Sequence, residues 1–333
     1  MPRALTDTWD LGGVQIANRV VLAPLAGIGN WFVRLQARRY GAGLAVSEMV
    51  SSYAVHHRNE RTCRELLRIH PDEHPVSVQL FGSDPDVMGS AAARVAAAGA
   101  DLIDLNMGCP VPKVCKTGAG AALLADPDRA VALARAAARG SGLPVTVKLR
   151  CGQRPGEDSG IALARRLVAE AGVAGICIHP RHASQRHSGA PDYELARALV
   201  DELPVPVLVS GGLRTAAQAR AVFARTGAAG VLLARGALGN PWLFEQLIGR
   251  RSDGDGPTAA EILAELEWVI ERAREHLGDE RAGRYLRKFY PWYVERLGGG
   301  KALQAALQRA PTLAAARELL CEDRAEAACA LAP

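Results

Sequence analysis

Short apolar runs recur along the first three quarters of the chain and predict eight β-strands. They lie at 19–24, 44–49, 76–81, 102–107, 145–150, 175–180, 205–211 and 230–235. The Ala-rich segments between them have helical character, and those at 84–100 and 126–140 begin with Asp-Pro, as a helix N-terminus does. Several end in glycine just before the next strand, as at Gly172 and Gly227, which fits a helix C-cap.

Strands that alternate with helices form a parallel sheet. Eight such units in about 240 residues match the size and strand count of a TIM (β/α)8 barrel. A doubly wound sheet is the alternative, but it usually has fewer strands and places its site at one switch point. Polar residues at or just past the C-terminal end of nearly every predicted strand favour the barrel, so we predict an α/β protein of this class.

The pattern changes after residues 236–247. The segment RSDGDGP at 251–257 is typical of a linker, and it precedes helical stretches near 258–277, 281–297, 300–308 and 312–329. No further strand is predicted. We therefore expect a catalytic barrel domain over 1–248, a linker over 249–257 and a small all-helical domain over 258–333.

Composition excludes several classes of protein. With 49% hydrophobic and 23% charged residues among 333, the chain is neither disordered nor fibrous. A net charge of +5 is too small for a chromatin-like polycation, so a nucleic-acid partner would have to meet a local patch. Seven scattered cysteines without a CxxC pair indicate neither a disulfide framework nor a zinc site. Because membrane-spanning and signal-peptide segments are also missing, we expect a reduced, cytoplasmic, monomeric enzyme without a metal.

Residues at the C-terminal ends of barrel strands are candidates for catalysis and binding. By that rule they are Pro24, Glu48, Gln79, Asn106, Cys109, Lys148, Arg150, His179, Arg181, Ser210 and Arg235. Gly211-Gly212 and Arg235-Gly236 follow the seventh and eighth predicted strands, where barrels commonly bind a phosphate. The glycines could simply form tight turns, but Arg235 beside them favours a phosphate-bearing cofactor.

Lys148 lies in VTVKLR and is expected to point into the barrel near its top, where an ammonium group needs an anionic partner. A cofactor atom would supply one, and a structural salt bridge is the alternative. Gln79, in SVQLFG, could give an amide hydrogen bond to a heterocycle.

Cys109 lies in the Gly/Pro-rich loop NMGCPVPKVCKTGAG with Lys113 and Lys116, which favours a thiol that gives or takes a proton. It could also be a small apolar filler. Cys115 is close in sequence, but its flanks look solvated.

Three histidines lie within residues 179–187, yet their spacing fits no zinc pattern and no carboxylate lies among them. A cation-rich loop facing a phosphate or flavin is the preferred interpretation. For His182 and His187 a solvated loop is the alternative.

A second basic feature lies in the helical tail. The stretch from Arg281 to Arg317 contains eight positively charged residues and only one acidic residue, Glu295. Within it, RYLRKFYPWY at 284–293 holds five of the sixteen aromatic residues of the chain. Cations interleaved with aromatics suit tracking of a nucleic-acid backbone and base stacking, so RNA is the expected partner. Alternatively, the aromatics fill the core of the small domain and the cations are solvated.

Several segments together resemble the tRNA-dihydrouridine synthases, and the bacterial B-type branch is the most similar. They are LAPLAGIGNWFVR, VSEMVSS, VQLFGSDP, ADLIDLNMGCPVPKV, TGAGAALL, PVTVKLRCG, IHPR and GALGNPWLF. The resemblance covers about residues 10–250, with a fainter likeness at RYLRKFYPWY. It implies an FMN-dependent, NADPH-driven reduction of a uridine C5–C6 double bond in tRNA, with hydride passing from flavin N5 to C6.

The resemblance also implies roles for individual residues. Cys109 would donate the proton to C5, Asn106 and Arg181 would lie near the flipped uracil, and Glu48 could contact FMN or substrate. FMN would be lined by Pro24, Leu25, Ala26, Gln79, Lys148, His179, Ser210, Gly211, Gly212, Ala234 and Arg235. Cations of the tail would bind the tRNA body, among them Arg284, Arg287 and Lys288.

The chain departs from the family pattern at three places. Ser210-Gly211-Gly212 stands where Asn-Gly-Asp is usual, Ala234-Arg235 where Gly-Arg is usual, and Leu25 where Met is usual. Two rival functions remain: an FMN barrel acting on a free pyrimidine or small enone, and an RNA-binding or flavin-sensing protein without turnover. The basic tail argues against the first and Cys109 against the second.

Overall fold

The computed structural model describes residues 3–330, with the backbone alone for 322–330. Its strands, in chain order, are β1 (Trp9–Leu11), β2 (Val14–Ile16), β3 (Val20–Leu22), β4 (Leu44–Val46), β5 (Val50–Ser51), β6 (Val76–Phe81), β7 (Leu102–Met107), β8 (Val145–Arg150), β9 (Gly175–His179), β10 (Val207–Ser210) and β11 (Gly230–Leu233). Eight of them pair in the parallel order β4-β3-β11-β10-β9-β8-β7-β6, and β4 also pairs with β6, so the sheet closes. The predicted TIM barrel is confirmed, and each predicted apolar run contains one barrel strand.

The hairpin β1–β2 was not predicted. It is antiparallel, and its turn places Gly12 and Gly13 at φ of 64° and 94°, where glycine is favoured. Trp9 and Leu11 belong to one hydrophobic cluster with side chains such as Leu102, the first residue of β7. The hairpin therefore covers the end of the barrel opposite the carboxyl ends of its strands.

Helices connect the barrel strands. They are α1 (Trp31–Arg39), α2 (Ser52–His56), α3 (Pro85–Ala97), α4 (Pro112–Cys115), α5 (Pro127–Ser141), α6 (Ser159–Ala171), α7 (Tyr193–Glu202), α8 (Ala216–Thr226) and α9 (Trp242–Leu247). Asp84 and Asp126 cap α3 and α5 ahead of a proline, as the Asp-Pro pairs predicted. Gly172 and Gly227 end α6 and α8 in the left-handed conformation, which confirms the expected C-caps.

A buried ion pair fixes the loop that follows β3. Arg34 Nε donates to Glu73 at 2.7 Å, and both side chains are almost inaccessible to solvent. Arg34 Nη1 also donates to the carbonyl of Gly29 at 3.2 Å. The loop that carries Pro24, Leu25 and Ala26 is thereby anchored to the body of the barrel.

The last part of the chain is helical. Its helices are α10 (Ala259–Leu277), α11 (Asp279–Leu286), α12 (Tyr290–Leu297), α13 (Lys301–Arg309) and α14 (Leu313–Ala330). The single helix predicted over 281–297 is two helices, because Pro291 has no backbone N–H and stands in the first turn of α12. Among residues 3–330, no helix combines the length and apolarity needed to cross a membrane.

The chain divides into two units. The barrel unit comprises residues up to Gly236 together with Leu243–Ser252, and the helical unit comprises Ala237–Trp242 together with the residues from Asp253 onward. The sequence placed the boundary after residue 248, whereas 237–242 groups with the helical unit. Residues 331–333 of the predicted tail domain lie outside the described residues.

Candidate active site

A pocket of about 580 Å³ opens at the carboxyl ends of the barrel strands. It brings together nearly every predicted site residue of the barrel: Pro24, Leu25, Ala26, Gln79, Asn106, Cys109, Lys148, His179, Arg181, Ser210, Gly211, Ala234 and Arg235. Gly212 is the one predicted cofactor residue outside this lining. These residues are far apart in sequence. They share one surface because the parallel strands of the barrel bring their carboxyl ends to the same face.

Cations dominate the polar part of the lining. Lys148, Arg150, Arg181, Arg186 and Arg235 all face the pocket, whereas no Asp or Glu is found among its described lining residues. Burial and the neighbouring cations lower the pKa of His179 to about 2, so its ring stays neutral. An anionic ligand such as a phosphate is therefore the chemistry that this pocket favours.

Lys148 reaches the pocket from β8. Its Nζ donates to Ser210 Oγ of β10 at 3.3 Å, and within residues 3–321, whose side chains the structure describes, no carboxylate pairs with it directly. The structural salt bridge considered above is therefore wrong. Burial raises the pKa of the nearby Asp104 carboxyl, and the charge of Lys148 only partly opposes that rise, while the ammonium group faces the pocket.

Cys109 lies in the loop between β7 and α4 and is half-buried. Burial raises the pKa of its thiol, while a backbone hydrogen bond from Val111 and the charges of Arg150 and Lys148 partly oppose that shift. The thiol is therefore protonated at neutral pH, as a proton donor must be. The cations that act on it are these two strand residues rather than Lys113 and Lys116, which the sequence suggested.

Asn106 links this loop to the barrel strand. Its Oδ1 accepts hydrogen bonds from the backbone N–H of Cys109 at 2.9 Å and of Gly108 at 3.2 Å. Its Nδ2 donates to Gln79 Oε1 at 3.0 Å. The loop that carries the thiol is thus oriented by side chains of the pocket floor.

The loop after β10 forms a close backbone cradle. Gly211 has a φ of 106°, and a Cβ at this position would lie 2.6 Å from His179 Cδ2. Tyr193 holds the turn by donating its hydroxyl hydrogen to the carbonyl of Gly211. Only glycine fits here, which leaves backbone exposed beside Arg235 where a phosphate-bearing ligand could approach.

The histidine loop 182–189 folds over the pocket. His187 lines it and stacks on His179, with 6.0 Å between the ring centroids, yet the residue is exposed, so it borders both the pocket and solvent. Arg181 Nη1 donates to His179 Nε2 at 3.0 Å, which leaves the proton of the neutral ring on Nδ1. Among residues 3–321, whose side chains are described, no group of three or more His, Cys, Asp or Glu is placed to hold a metal ion.

Sequence reasoning did not select Met49, which also lines the pocket, whereas Arg186 belongs to the cation-rich loop that was expected to face a phosphate or flavin. Met49 lies just past β4, so the strand-end rule could have found it. Glu48, which that rule did select, does not line the pocket. Its Oε2 instead accepts from the backbone N–H of Gly27 at 2.7 Å and supports the loop after β3.

Cys115 itself is half-buried, while Lys113, Lys116 and Thr117 beside it are exposed, as expected for its flanks. Its Sγ donates to the carbonyl of Cys109 at 3.4 Å, so it braces the loop from behind while Cys109 lines the pocket. Of the two cysteines in this loop, the geometry favours Cys109 as the one that can meet a substrate.

In the helical unit, Phe289, Tyr290 and Tyr293 are buried. Base stacking is therefore the wrong interpretation for these three aromatics, which fill the core. Arg284, Arg287 and Lys288 are exposed, as an RNA contact requires.

The excess of cations in this segment is smaller than the sequence count suggests. Arg284 pairs with Glu280 at 2.6 Å, and Arg317 pairs with Glu267 of α10 at 2.6 Å. Both acids lie outside the counted stretch, because helices bring distant residues together. The exposed cations of this segment are Arg284, Arg287 and Lys288 at α11 and its C-terminus, together with Lys301 and Arg309 of α13.

The size and the lining of the pocket are compatible with a flavin mononucleotide. Its volume lies in the range of small-molecule sites, and it combines apolar walls with polar groups at the floor and cations at one side. The backbone cradle at Gly211 beside Arg235 matches the needs of a phosphate.

The sequence was also compared with known protein families and with individual proteins. The family model described as dihydrouridine synthase matches residues 21–329. The chain is 35% identical to tRNA-dihydrouridine synthase B of Pseudomonas aeruginosa, over 90% of each chain. It is 38% identical to a probable tRNA-dihydrouridine synthase of Mycobacterium tuberculosis, over 91% of this chain and 81% of that protein.

Solved structures share the fold at low identity. A morphinone reductase structure has a TM-score of 0.56 at 16% identity, over 79% of this chain and 93% of that chain. A 2-naphthoyl-CoA reductase structure has a TM-score of 0.60 at 12% identity, over 75% of this chain and 53% of that chain. The family match over most of the sequence is the decisive finding: the chain is an oxidoreductase of the dihydrouridine synthase family.

Proposed function

We propose that this protein is a tRNA-dihydrouridine synthase that uses FMN and NADPH to reduce the C5–C6 double bond of a uridine in tRNA. The observation that carries the proposal is the Cys109 thiol, kept protonated by burial in the wall of a cation-lined pocket. The sequence similarity to named tRNA-dihydrouridine synthases supports the same reaction.

The pocket residues divide the task of holding FMN. Pro24, Leu25 and Ala26, with Ala234, offer an apolar wall to the ring system, while Gln79 offers a side-chain amide. The Gly211 cradle, Arg235 and the neutral ring of His179 suit the polar chain and phosphate. Lys148 places a positive charge at the floor, which favours an electron-rich ligand.

Bound FMN, once reduced by NADPH, would supply the hydride for C6 of the uracil ring. Cys109 then completes the addition: its S–H bond breaks, and the proton forms the new C–H bond at C5 as the double bond is lost. The resulting thiolate is stabilised by the charges of Arg150 and Lys148 and regains a proton from water. Asn106 fixes the backbone of Cys109, so the thiol keeps one direction of approach.

A uridine paired or stacked in tRNA must be extruded to enter this pocket, at a cost of roughly a few kcal/mol. Cationic contacts with the RNA backbone offset that cost. Arg181 and Arg186 lie at the pocket, and we assign the exposed Arg284, Arg287 and Lys288 to the tRNA body, which makes the helical unit the tRNA-binding domain. We place the reaction in the cytoplasm.

Substrate choice tests this function against its enzymatic rival. NADPH oxidation by the flavin-loaded protein is measured under exclusion of oxygen with unmodified tRNA, with free uridine and with a small cyclic enone. We expect turnover with tRNA and less than a tenth of that rate with either small molecule at equal concentration. Faster turnover of uridine or the enone would replace the proposal with a small-molecule reductase.

A further inference from the structure

Directly below the pocket, three neighbouring strands place polar side chains in one row. Gln79 of β6 is the register partner of Asp104 of β7, which is in turn the partner of Thr146 of β8. All three residues are buried. Thr146 Oγ1 donates to Asp104 Oδ1 at 2.6 Å, and Gln79 Nε2 donates to Asp104 Oδ2 at 2.6 Å. Both carboxylate oxygens are therefore used inside the barrel, and no step proposed above requires them.

The hydrogen bonds continue from this row to the reactive loop. Gln79 Oε1 accepts from Asn106 Nδ2 at 3.0 Å, and Asn106 Oδ1 accepts from the backbone N–H of Cys109 at 2.9 Å. A primary amide has its acceptor and its donors at opposite ends, so fixing one end fixes the other. An ionised Asp104 offers acceptors only, and so determines the orientation of both amides in the series.

We propose that Asp104 is a positioning residue that holds the Cys109 loop in place through the side-chain amides of Gln79 and Asn106. The proposal depends on the proposed function only for the role of the thiol. Asp104 is absent from the described lining of the pocket, so it contacts neither the pocket nor a substrate bound there. According to the proposal, it nevertheless sets the direction in which Cys109 presents its Sγ.

The sharpest test exchanges the carboxylate and the amide between Asp104 and Gln79. In the double variant Asp104→Asn/Gln79→Glu, the amide introduced on β7 still accepts from Thr146, and its nitrogen donates to the carboxylate introduced on β6. That carboxylate can also accept from Asn106, which leaves the Asn106 bond to Cys109 intact. Asp104→Leu keeps the branch at Cγ but is larger and has no acceptor, so Gln79 and then Asn106 lose their fixed orientation.

The readout is the rate at which iodoacetamide alkylates Cys109 in the full-length protein, followed by peptide mass spectrometry at a pH well above the pKa of Asp104. Loss of the hydrogen bond that holds the loop should expose the thiol, and we expect alkylation about tenfold faster in Asp104→Leu. In the exchanged pair the rate should return to within about twofold of wild type. Thr146→Val is the matched control. Thr146 is buried and donates to Asp104 Oδ1, the carboxylate oxygen that does not contact Gln79. Its replacement should leave the alkylation rate of Cys109 unchanged.

An unchanged rate in folded Asp104→Leu would overturn the proposal. If that variant does not fold, the cycle of Asp104→Asn, Gln79→Glu and their combination decides: additive rates in the pair would overturn it, and recovery would support it. The assay needs neither tRNA nor NADPH, so its result is independent of whether uridine reduction is observed.

Discussion

Lys148 on β8 donates a hydrogen bond to Ser210 on β10, with 3.3 Å between Nζ and Oγ, across the floor of the pocket. Ser210 occupies a position where the family pattern has Asn, yet it still offers Lys148 an acceptor. Among the side chains that the structure describes, no carboxylate pairs directly with the ammonium group, so its charge stays available to a ligand.

Lys148→Met should weaken FMN binding by about 10–100-fold, because a charged hydrogen bond is worth about 1.5–3 kcal/mol. The measurement is a titration of the flavin-free protein with FMN, followed by quenching of flavin fluorescence. Ser210→Asn is the control, since an amide oxygen can also accept from Lys148, and it should bind FMN within about threefold of wild type. Equal affinity of Lys148→Met and wild type would remove Lys148 from the cofactor site.

Neutralising the exposed cations of the helical unit should weaken tRNA binding. Replacing Arg284, Arg287 and Lys288 together with Gln removes up to three phosphate contacts, so the slope of log affinity against log salt should become shallower by about 2–3. FMN binding should not change. Filter binding over a range of salt concentrations provides the measurement.

The matched control carries the same loss of charge elsewhere. Arg165, Arg166 and Arg197 are surface residues of the barrel unit that pair with carboxylates, and their combined replacement with Gln should leave the salt slope within about 0.5 of wild type. Equal slopes for the two triple variants would contradict a specific tRNA surface on the helical unit.

The buried Asp104 carboxyl makes stability depend on pH. Burial raises its pKa to about 6, although hydrogen bonds from Thr146 and Gln79 and the charge of Lys148 oppose the shift. Between about pH 4 and 6 the folded chain therefore binds more protons at this site than the unfolded chain, so this contribution to stability is complete below about pH 4 and is lost as pH rises through 6.

The expected loss is about 3 kcal/mol, since two pKa units correspond to that free energy. Urea unfolding of wild type and Asp104→Asn at matched pH values measures it. The difference in unfolding free energy between the two should shift by about that amount across roughly pH 4–6, in favour of wild type at the acid end. Parallel pH profiles would show that Asp104 does not titrate in this range.

Sequence patterning was sufficient for the barrel and most of the pocket. Apolar runs such as 145–150 predicted the strands, and the strand-end rule then selected Gln79, Lys148 and Arg235, because parallel strands bring their carboxyl ends to one face. The hairpin β1–β2 was not predicted, because strands of three residues are too short to show an alternation of apolar and polar positions. Its Gly12-Gly13 turn was the one sequence signal of a hairpin there.

Relationships between strands could not be predicted in the same way. Asp104 lies within the largely apolar run LIDLNM, and nothing along the chain shows that Gln79 and Thr146 flank it in register. For His187 the choice between a loop facing the pocket and a solvated loop stayed open for a similar reason, since its stacking on His179 depends on how the loop folds back. Likewise, Arg317 has its acidic partners on α10, a different helix.

The most direct test measures dihydrouridine in unmodified tRNA after incubation with flavin-loaded protein and NADPH, by mass spectrometry of the digested nucleosides. Wild type should form dihydrouridine, and Cys109→Ala should retain both its visible flavin absorbance and its tRNA affinity while losing at least about 99% of the rate, as expected when a general acid worth about 10²–10⁴-fold is removed. Cys115→Ala is the matched control and should keep most of the activity. Wild-type protein that binds flavin and tRNA but forms no dihydrouridine would contradict the proposed function, and a normal rate for Cys109→Ala would contradict the role of the thiol.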